Sequence, residues 1–114
     1  IILDIDPNQR AVNTLQPAHG NSNYVQNIYT FPNPFNSQIE IQFDLTEPSH
    51  VLVSVYDING RWAQTITNES LSKGRHSFHW DGKSSIGRTV SAGKYFIHFQ
   101  TQNGHQLKLI TFLK

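Results

Sequence analysis

Six histidines, at His19, His50, His76, His79, His98 and His105, are the residues best suited to hold a transition metal. No two of them show the His-x-x-x-His spacing that puts both rings on one helix face, and there is no Cys to complete a zinc set. His76 and His79 stand three apart in a stretch of strand character, hence on opposite faces. They read as scattered surface residues, and no metal is expected. Asp4 with Asp6, or Asp57 with Asp81, offers carboxylates to Ca²⁺, but neither set has the Asp-x-Asp-x-Asp-Gly spacing of a calcium loop. For nucleophilic catalysis the chain has neither a Cys nor a Gly-x-Ser-x-Gly elbow. Its eight acids fall mostly at turns and outward strand positions, a poor basis for the paired carboxylates of glycoside hydrolysis. No catalytic residue and no cofactor are expected.

Aromatic side chains are the remaining binding signal. Trp62, Tyr24, Tyr29 and Phe96 could form a stacking platform for sugar rings, and Trp62 is the sharpest candidate because Arg61 and Gln64 flank it with hydrogen-bonding groups. The alternative for Trp62 is packing against a cross-strand neighbour.

Composition narrows the classes further. With 114 residues the chain suits one domain, able to bury a core without disulfides. Nine Lys and Arg against eight Asp and Glu leave a formal charge of +1, and the basic residues are dispersed, so the basic stripe of a nucleic-acid footprint is missing. Apolar runs are a few residues long, far below the roughly 20 needed for a spanning helix. There is no initiator Met and no basic region leading an apolar stretch, so the chain reads as a piece of a longer protein.

The elements that would position these residues are strands. Ile1, Leu3 and Ile5 alternate with Ile2, Asp4 and Asp6 before the turn Asp6-Pro7-Asn8, and Pro7 to Asn27 is a polar linker. The prolines of Phe31-Pro32-Asn33-Pro34-Phe35-Asn36 make a stiff lead-in. Ile39, Ile41, Phe43 and Leu45 then share one strand face, and Val51, Val53 and Val55 another. Asp57-Ile58-Asn59-Gly60 predicts a type I′ hairpin leading into a strand from Arg61 to Thr67. Further strands follow at Arg75 to Trp80, Tyr95 to Phe99 and, after Asn103-Gly104, Leu107 to Leu113. Leu107 and Leu109 lie on one side of the last strand and Ile110 and Phe112 on the other, so it is either buried on both faces or offered to a partner. Six or seven short strands without a helical period predict an all-β antiparallel sandwich of about seven strands. Residues 1–28 are then the end of a preceding module plus linker, and residues 29–114 the sandwich.

The order of motifs carries a resemblance. Phe31-Pro32-Asn33-Pro34-Phe35-Asn36 is followed by Ile41-x-Phe43-x-Leu45, Val53-x-Val55-Tyr56-Asp57 with Gly60-Arg61, Gly74-Arg75-His76, Trp80-Asp81-Gly82, Gly87-Arg88, Gly93-x-Tyr95-Phe96 and a terminal Lys108-Leu109-Ile110-Thr111-Phe112-Leu113-Lys114. Over residues 29 to 114 this resembles the C-terminal sorting domains of type IX (Por) secretion substrates, whose sandwich is similar to the immunoglobulin-like domain of the flagellar hook-capping protein. Ser37, Trp62 and Thr89 depart from that pattern, and Thr111 interrupts the terminal apolar run.

The resemblance implies a non-catalytic immunoglobulin-like domain that directs a larger cargo across the outer membrane, via the periplasm, to a secreted or surface-attached state. The implied partners are an outer-membrane translocon with its attachment machinery and an N-terminal cargo domain, with no nucleic acid and no membrane span. The implied recognition residues are Lys108, Leu109, Ile110, Phe112, Leu113 and Lys114, beside the loop Gly82 to Gly93. Pro32, Asn33, Pro34, Phe35, Tyr56, Asp57, Gly60, Arg61, Trp80, Asp81, Gly82, Gly93, Tyr95 and Phe96 would be structural. Independently, Trp80 suits a core plug, Asp81-Gly82 a turn and Gly93 a sharp re-entry. The alternatives are an accessory module of a secreted polysaccharide-degrading enzyme, contacting glycan through Trp62, and a structural role like that of the hook-capping domain.

Overall fold

The computed structural model describes residues 23–114, so the strand expected at Ile1 to Ile5 lies outside the described residues. Seven strands form: β1 (Val25–Phe31), β2 (Ile39–Leu45), β3 (Ser49–Asp57), β4 (Trp62–Leu71), β5 (Gly74–Trp80), β6 (Gly93–Thr101) and β7 (Gly104–Phe112). β1 begins at Val25, inside the stretch expected to be linker.

The strands pair into two antiparallel sheets, in the orders β1-β2-β5 and β4-β3-β6-β7. This is the all-β sandwich of seven strands that the alternation predicted. The reason is visible in β2 and β3: Ile39, Ile41, Phe43 and Leu45 point inward from one sheet and Val51, Val53 and Val55 from the other, and all seven are essentially inaccessible to water. Val25, Phe35, Trp80, Tyr95, Ile97, Phe99, Ile110 and Phe112 complete the same buried cluster. Each such side chain contributes about 1.5–3 kcal/mol when fully buried.

Two local expectations change. The Asp57–Gly60 turn is not type I′: Gly60 has φ 85, but Asn59, the first of the Asn-Gly pair, lacks the positive φ that both central positions need. Instead Asp57 N–H donates to Arg61 O at 2.9 Å across a three-residue loop, with glycine alone in the left-handed region. The second hairpin turns one residue earlier than Asn103-Gly104, since Thr101 pairs with Gly104 and leaves Gln102 and Asn103 as the loop.

The outer faces differ. On the three-stranded sheet Asn27, Glu40, Gln42, Asp44, Arg75 and Ser77 form a polar network, with Arg75 Nε 3.1 Å from Asp44 Oδ1 and its guanidinium over the Tyr29 ring. Tyr29 and Phe31 are exposed on that sheet's edge strand β1, whereas the four-stranded sheet carries aromatic and aliphatic residues on all four of its strands.

Candidate functional site

The terminal strand is the first place to look, because the sequence places recognition there. The structure divides its residues between two faces and two fates. Ile110 and Phe112 are buried in the core, whereas Leu107, Leu109 and Leu113 are exposed. Lys108 is half-buried and Lys114 exposed. The outer edge of β7 is occupied by the proline-rich lead-in. Asn33 Oδ1 accepts from Thr111 N–H at 3.0 Å, Phe35 N–H donates to Thr111 O at 3.0 Å, and Leu113 N–H donates to Phe35 O at 2.7 Å. Asn33 Nδ2 also lies 3.5 Å from Leu109 O. Pro32 and Pro34 hold this segment, which lacks their N–H groups, against the strand. Farther along, Gln106 Nε2 donates to Val25 O and Asn23 Nδ2 to His105 O. The outer edge of β7 is therefore occupied from Leu109 to Leu113 and at His105 O, which makes that part a poor template for strand addition by a partner.

Phe35, Trp80, Tyr95 and Phe112 form one aromatic cluster. Ring centroids lie 5.7 Å apart for Phe35–Trp80, 5.0 Å for Phe35–Phe112 and 5.5 Å for Trp80–Tyr95, the last edge to face. The polar ends are satisfied: Trp80 Nε1 donates to Lys83 O at 2.8 Å, and Tyr95 Oη to Ser91 O at 2.6 Å. Asp81 Oδ1 accepts from Lys83 N–H at 3.1 Å and starts the turn. Gly82 lies against this cluster with φ +76, and a Cβ there would fall 2.8 Å from the Phe112 ring. Gly93 begins β6 with φ +145 in open space.

At the same end of the sandwich, Asp57 ties the β3–β4 turn. Its Oδ1 accepts from the backbone N–H of Asn59 and of Arg61, both at 2.9 Å, and its Oδ2 accepts from Arg61 Nε at 3.0 Å. Burial alone would raise the Asp57 pKa. The bonds from Arg61 and Asn59 and the guanidinium charge outweigh it, holding the carboxyl below its ordinary value. Between this turn and the loop after Trp80 lies an open groove of about 430 Å³, lined by Arg61, Trp62, Ser84, Arg88 and Tyr95 among others. Burial, then the Asp57 charge, pushes the Tyr95 hydroxyl up, so it is a neutral donor in this wall.

The register across the four-stranded sheet produces a feature that no single stretch of sequence displays. Trp62 on β4 stands opposite Tyr56 on β3, Tyr56 opposite Phe96 on β6, and Phe96 opposite Leu109 on β7. One apolar row therefore crosses the whole outer face at right angles to the strands, with Trp62 52% and Leu109 45% exposed. Trp62 both packs in this row and donates Nε1–H to Thr65 Oγ1 at 3.1 Å. Tyr29 does not join it, since it lies on β1 of the other sheet, and neither does Tyr24, which precedes β1 and packs against the core. The adjacent row contains Thr65, Ser54, His98 and Leu107. Tyr56, Phe96 and Leu109 are legible as strand residues, but their alignment depends on pairings that only the fold defines.

The same register brings together two of the scattered histidines. His98 Nε2 lies 3.3 Å from His105 Nδ1, the rings edge to face with centroids 5.2 Å apart. Among the described residues no group of three or more His, Cys, Asp or Glu forms a metal-binding set.

These features define an immunoglobulin-like sandwich with an aromatic outer face and no assembled catalytic group among the described residues. Residues 32–105 match the FlgD Ig-like domain, and the chain belongs to that family. The basal-body rod modification protein FlgD of Salmonella typhimurium is 37% identical over 62 residues, which cover 54% of this chain and 27% of that protein. The chain thus matches little more than a quarter of that relative's length. Among solved structures, FlgD from Pseudomonas aeruginosa superposes with TM-score 0.54 at 25% identity, covering 78% of this chain and 74% of that one. FlgD from Xanthomonas campestris, a hook-capping protein of flagellar assembly, gives 0.53 at 20%, over 84% of this chain and 73% of the other. Latent PorU of Porphyromonas gingivalis gives 0.58 at 18%, over 75% of this chain and 9% of PorU, a likeness of fold alone.

The family match overturns the expected sorting function. A type IX signal, a translocon with attachment machinery and a cargo domain as partners, and a secreted or surface-attached location are all replaced by kinship with a flagellar protein. The accessory glycan-binding alternative gains no support from the match either. The physical reason for the misreading is that Phe35, Trp80, Gly82, Tyr95 and Phe112 brace the sandwich. Motifs built from such residues are shared by domains of this fold whatever their task.

Proposed function

We propose that this chain is the immunoglobulin-like part of a FlgD-type protein and acts, without catalysis, as a structural contact module in flagellar hook assembly. The observation that carries the reading is family membership across residues 32–105, which spans β2 through β6 and the turn into β7. The FlgD relatives supply the context, as basal-body rod modification and hook-capping proteins. The surface suited to protein contact is the row Trp62, Tyr56, Phe96 and Leu109, because exposed aromatic and aliphatic residues on a rigid sheet supply interface energy at little cost in ordering. The other sheet carries a polar network over most of its outer face, with exposed Tyr29 and Phe31 confined to its edge strand β1. The division into a sandwich domain and a preceding linker and module belongs to the same proposal.

The test is site-specific photo-crosslinking in the cells that make the parent protein. A crosslinking residue at position 62 or 109 is expected to give adducts with flagellar hook or rod proteins, while one at Glu40 on the opposite face gives none. Adducts confined to non-flagellar proteins, or equal at all three positions, would end the proposal.

A further inference from the structure

We infer that His98 and His105 form a two-nitrogen chelating site for a borderline transition-metal ion such as Cu²⁺, Ni²⁺ or Zn²⁺ on the outer face of the four-stranded sheet. The geometry is the argument. Two imidazole nitrogens at ordinary metal distances of about 2.0–2.1 Å, disposed tetrahedrally, are separated by about 3.3–3.4 Å. His98 Nε2 and His105 Nδ1 are 3.3 Å apart. The pair already has the bite of a chelate.

The scaffold holding that distance is rigid. His98 lies on β6 and His105 on β7, on the ladder that runs unbroken from Gly93↔Phe112 to Thr101↔Gly104. Their Cα atoms are diagonal neighbours, His98 facing Leu107 and His105 facing Gln100, so both side chains leave the same face. The Tyr56 ring meets His98 edge to face at 6.0 Å, and Asn23 Nδ2 lies 3.4 Å from the His105 carbonyl oxygen. These neighbours limit the freedom lost when a metal binds.

Electrostatics suit a neutral nitrogen donor. Burial, and then the neighbouring His105, hold His98 below the ordinary histidine value, so its lone pair is available at neutral pH. The residues across the ladders from the two rings are Ser54, Leu107 and Gln100, none of them charged. Only one proton can lie between the rings; the ring that donates it must take its other tautomer when the metal binds, so that both nitrogens offer lone pairs. Among the described residues no carboxylate joins the pair, which disfavours Ca²⁺ and Mg²⁺. His105 is exposed, so water completes the coordination. This site is independent of the flagellar reading.

The experiment is titration of the untagged chain with CuCl₂, NiCl₂ and ZnCl₂ at neutral pH, followed by calorimetry and by the imidazole proton resonances. One ion per chain is expected, with Cu²⁺ bound most tightly. The resonances of His98 and His105 should move together, while those of His50 and His79 stay. Loss of a mere supporting partner of a ligand costs about 10–100-fold in affinity, so His98→Ala and His105→Ala should each weaken binding by at least that lower figure. His105→Gln keeps a polar side chain on the surface; binding lost with its melting temperature unchanged would assign the effect to ligation. Absence of binding in the wild-type chain, or affinity unchanged in these variants, would overturn the site.

Discussion

Asn33 stands beside Thr111 as a one-residue substitute for a strand. Its Oδ1 accepts the Thr111 N–H at 3.0 Å, from 78 positions away in the chain. Replacing it with Ala should return the Thr111 N–H to solvent while Phe35 keeps its own bonds to the strand. We expect Asn33→Ala to lower stability by about 0.5–1.5 kcal/mol, the net worth of an ordinary hydrogen bond. Urea unfolding gives that number, and faster amide exchange at Thr111 would place it.

Gly82 and Gly87 separate two effects of adding a methyl group. Both have positive φ, +76 and +84, but only at Gly82 would a Cβ meet the Phe112 ring, at 2.8 Å. Gly82→Ala should therefore cost about 1–3 kcal/mol more than Gly87→Ala, the usual range for overpacking a tight site. Equal losses in thermal unfolding would show that Phe112 moves aside freely.

Trp80 plugs the core and donates to Lys83 O. Trp80→Ala should cost about 3–5 kcal/mol through the cavity it leaves. Trp80→Phe keeps most of the ring and leaves the Lys83 carbonyl without its indole donor. A loss smaller than that of Trp80→Ala, with the turn after Trp80 exchanging its amides faster, is the expected result.

Asp57 gives the domain a pH dependence whose sign follows from its lowered pKa. A carboxyl more acidic in the folded than in the unfolded chain adds stability above the unfolded value of about 3.8 and loses it as pH falls through the lower folded value. Asp57→Asn should be less stable than wild type near neutrality, and the gap should close in acid. Denaturant midpoints at neutral pH and at the acid end of the folded range would measure it; a gap independent of pH would remove charge from the explanation.

Trp62 and Leu109 belong to an exposed row rather than to the core. Trp62→Ser and Leu109→Ser should each lower stability by about 0.2–1 kcal/mol, the worth of a cross-strand pair and well below the cost of Trp80→Ala. Calorimetric unfolding checks this independently of any binding assay.

Much of the fold is legible because β2 and β3 carry their inward residues at strict alternation, and alternation is all that a half-buried strand requires. β1 is hidden because Asn27 takes φ 52 and the register slips between Gln26 and Tyr29. A bulge breaks the very period that reveals a strand. On β4 the ladder passes over Ala63 and Ile66, and both pack against the core, which blurs its pattern in the same way. The His98–His105 pair is within reach of the sequence: a two-residue loop at Gln102 and Asn103 places the two histidines diagonally across the hairpin. The aromatic row is not, because Trp62, Tyr56, Phe96 and Leu109 meet only after three separate ladders are in register.

The meeting of Phe35 with Phe112 also governs when the domain can form during synthesis. A ribosome that has delivered β1 through β6 has released a chain whose lead-in can meet Trp80 but still lacks Phe112 and the β7 edge. Closing so long a loop is slow, and the apolar faces of both sheets stay open meanwhile. Truncation or proteolytic trimming that removes Phe112 would therefore strip one of the two rings that seat Phe35, although the two segments lie far apart along the chain.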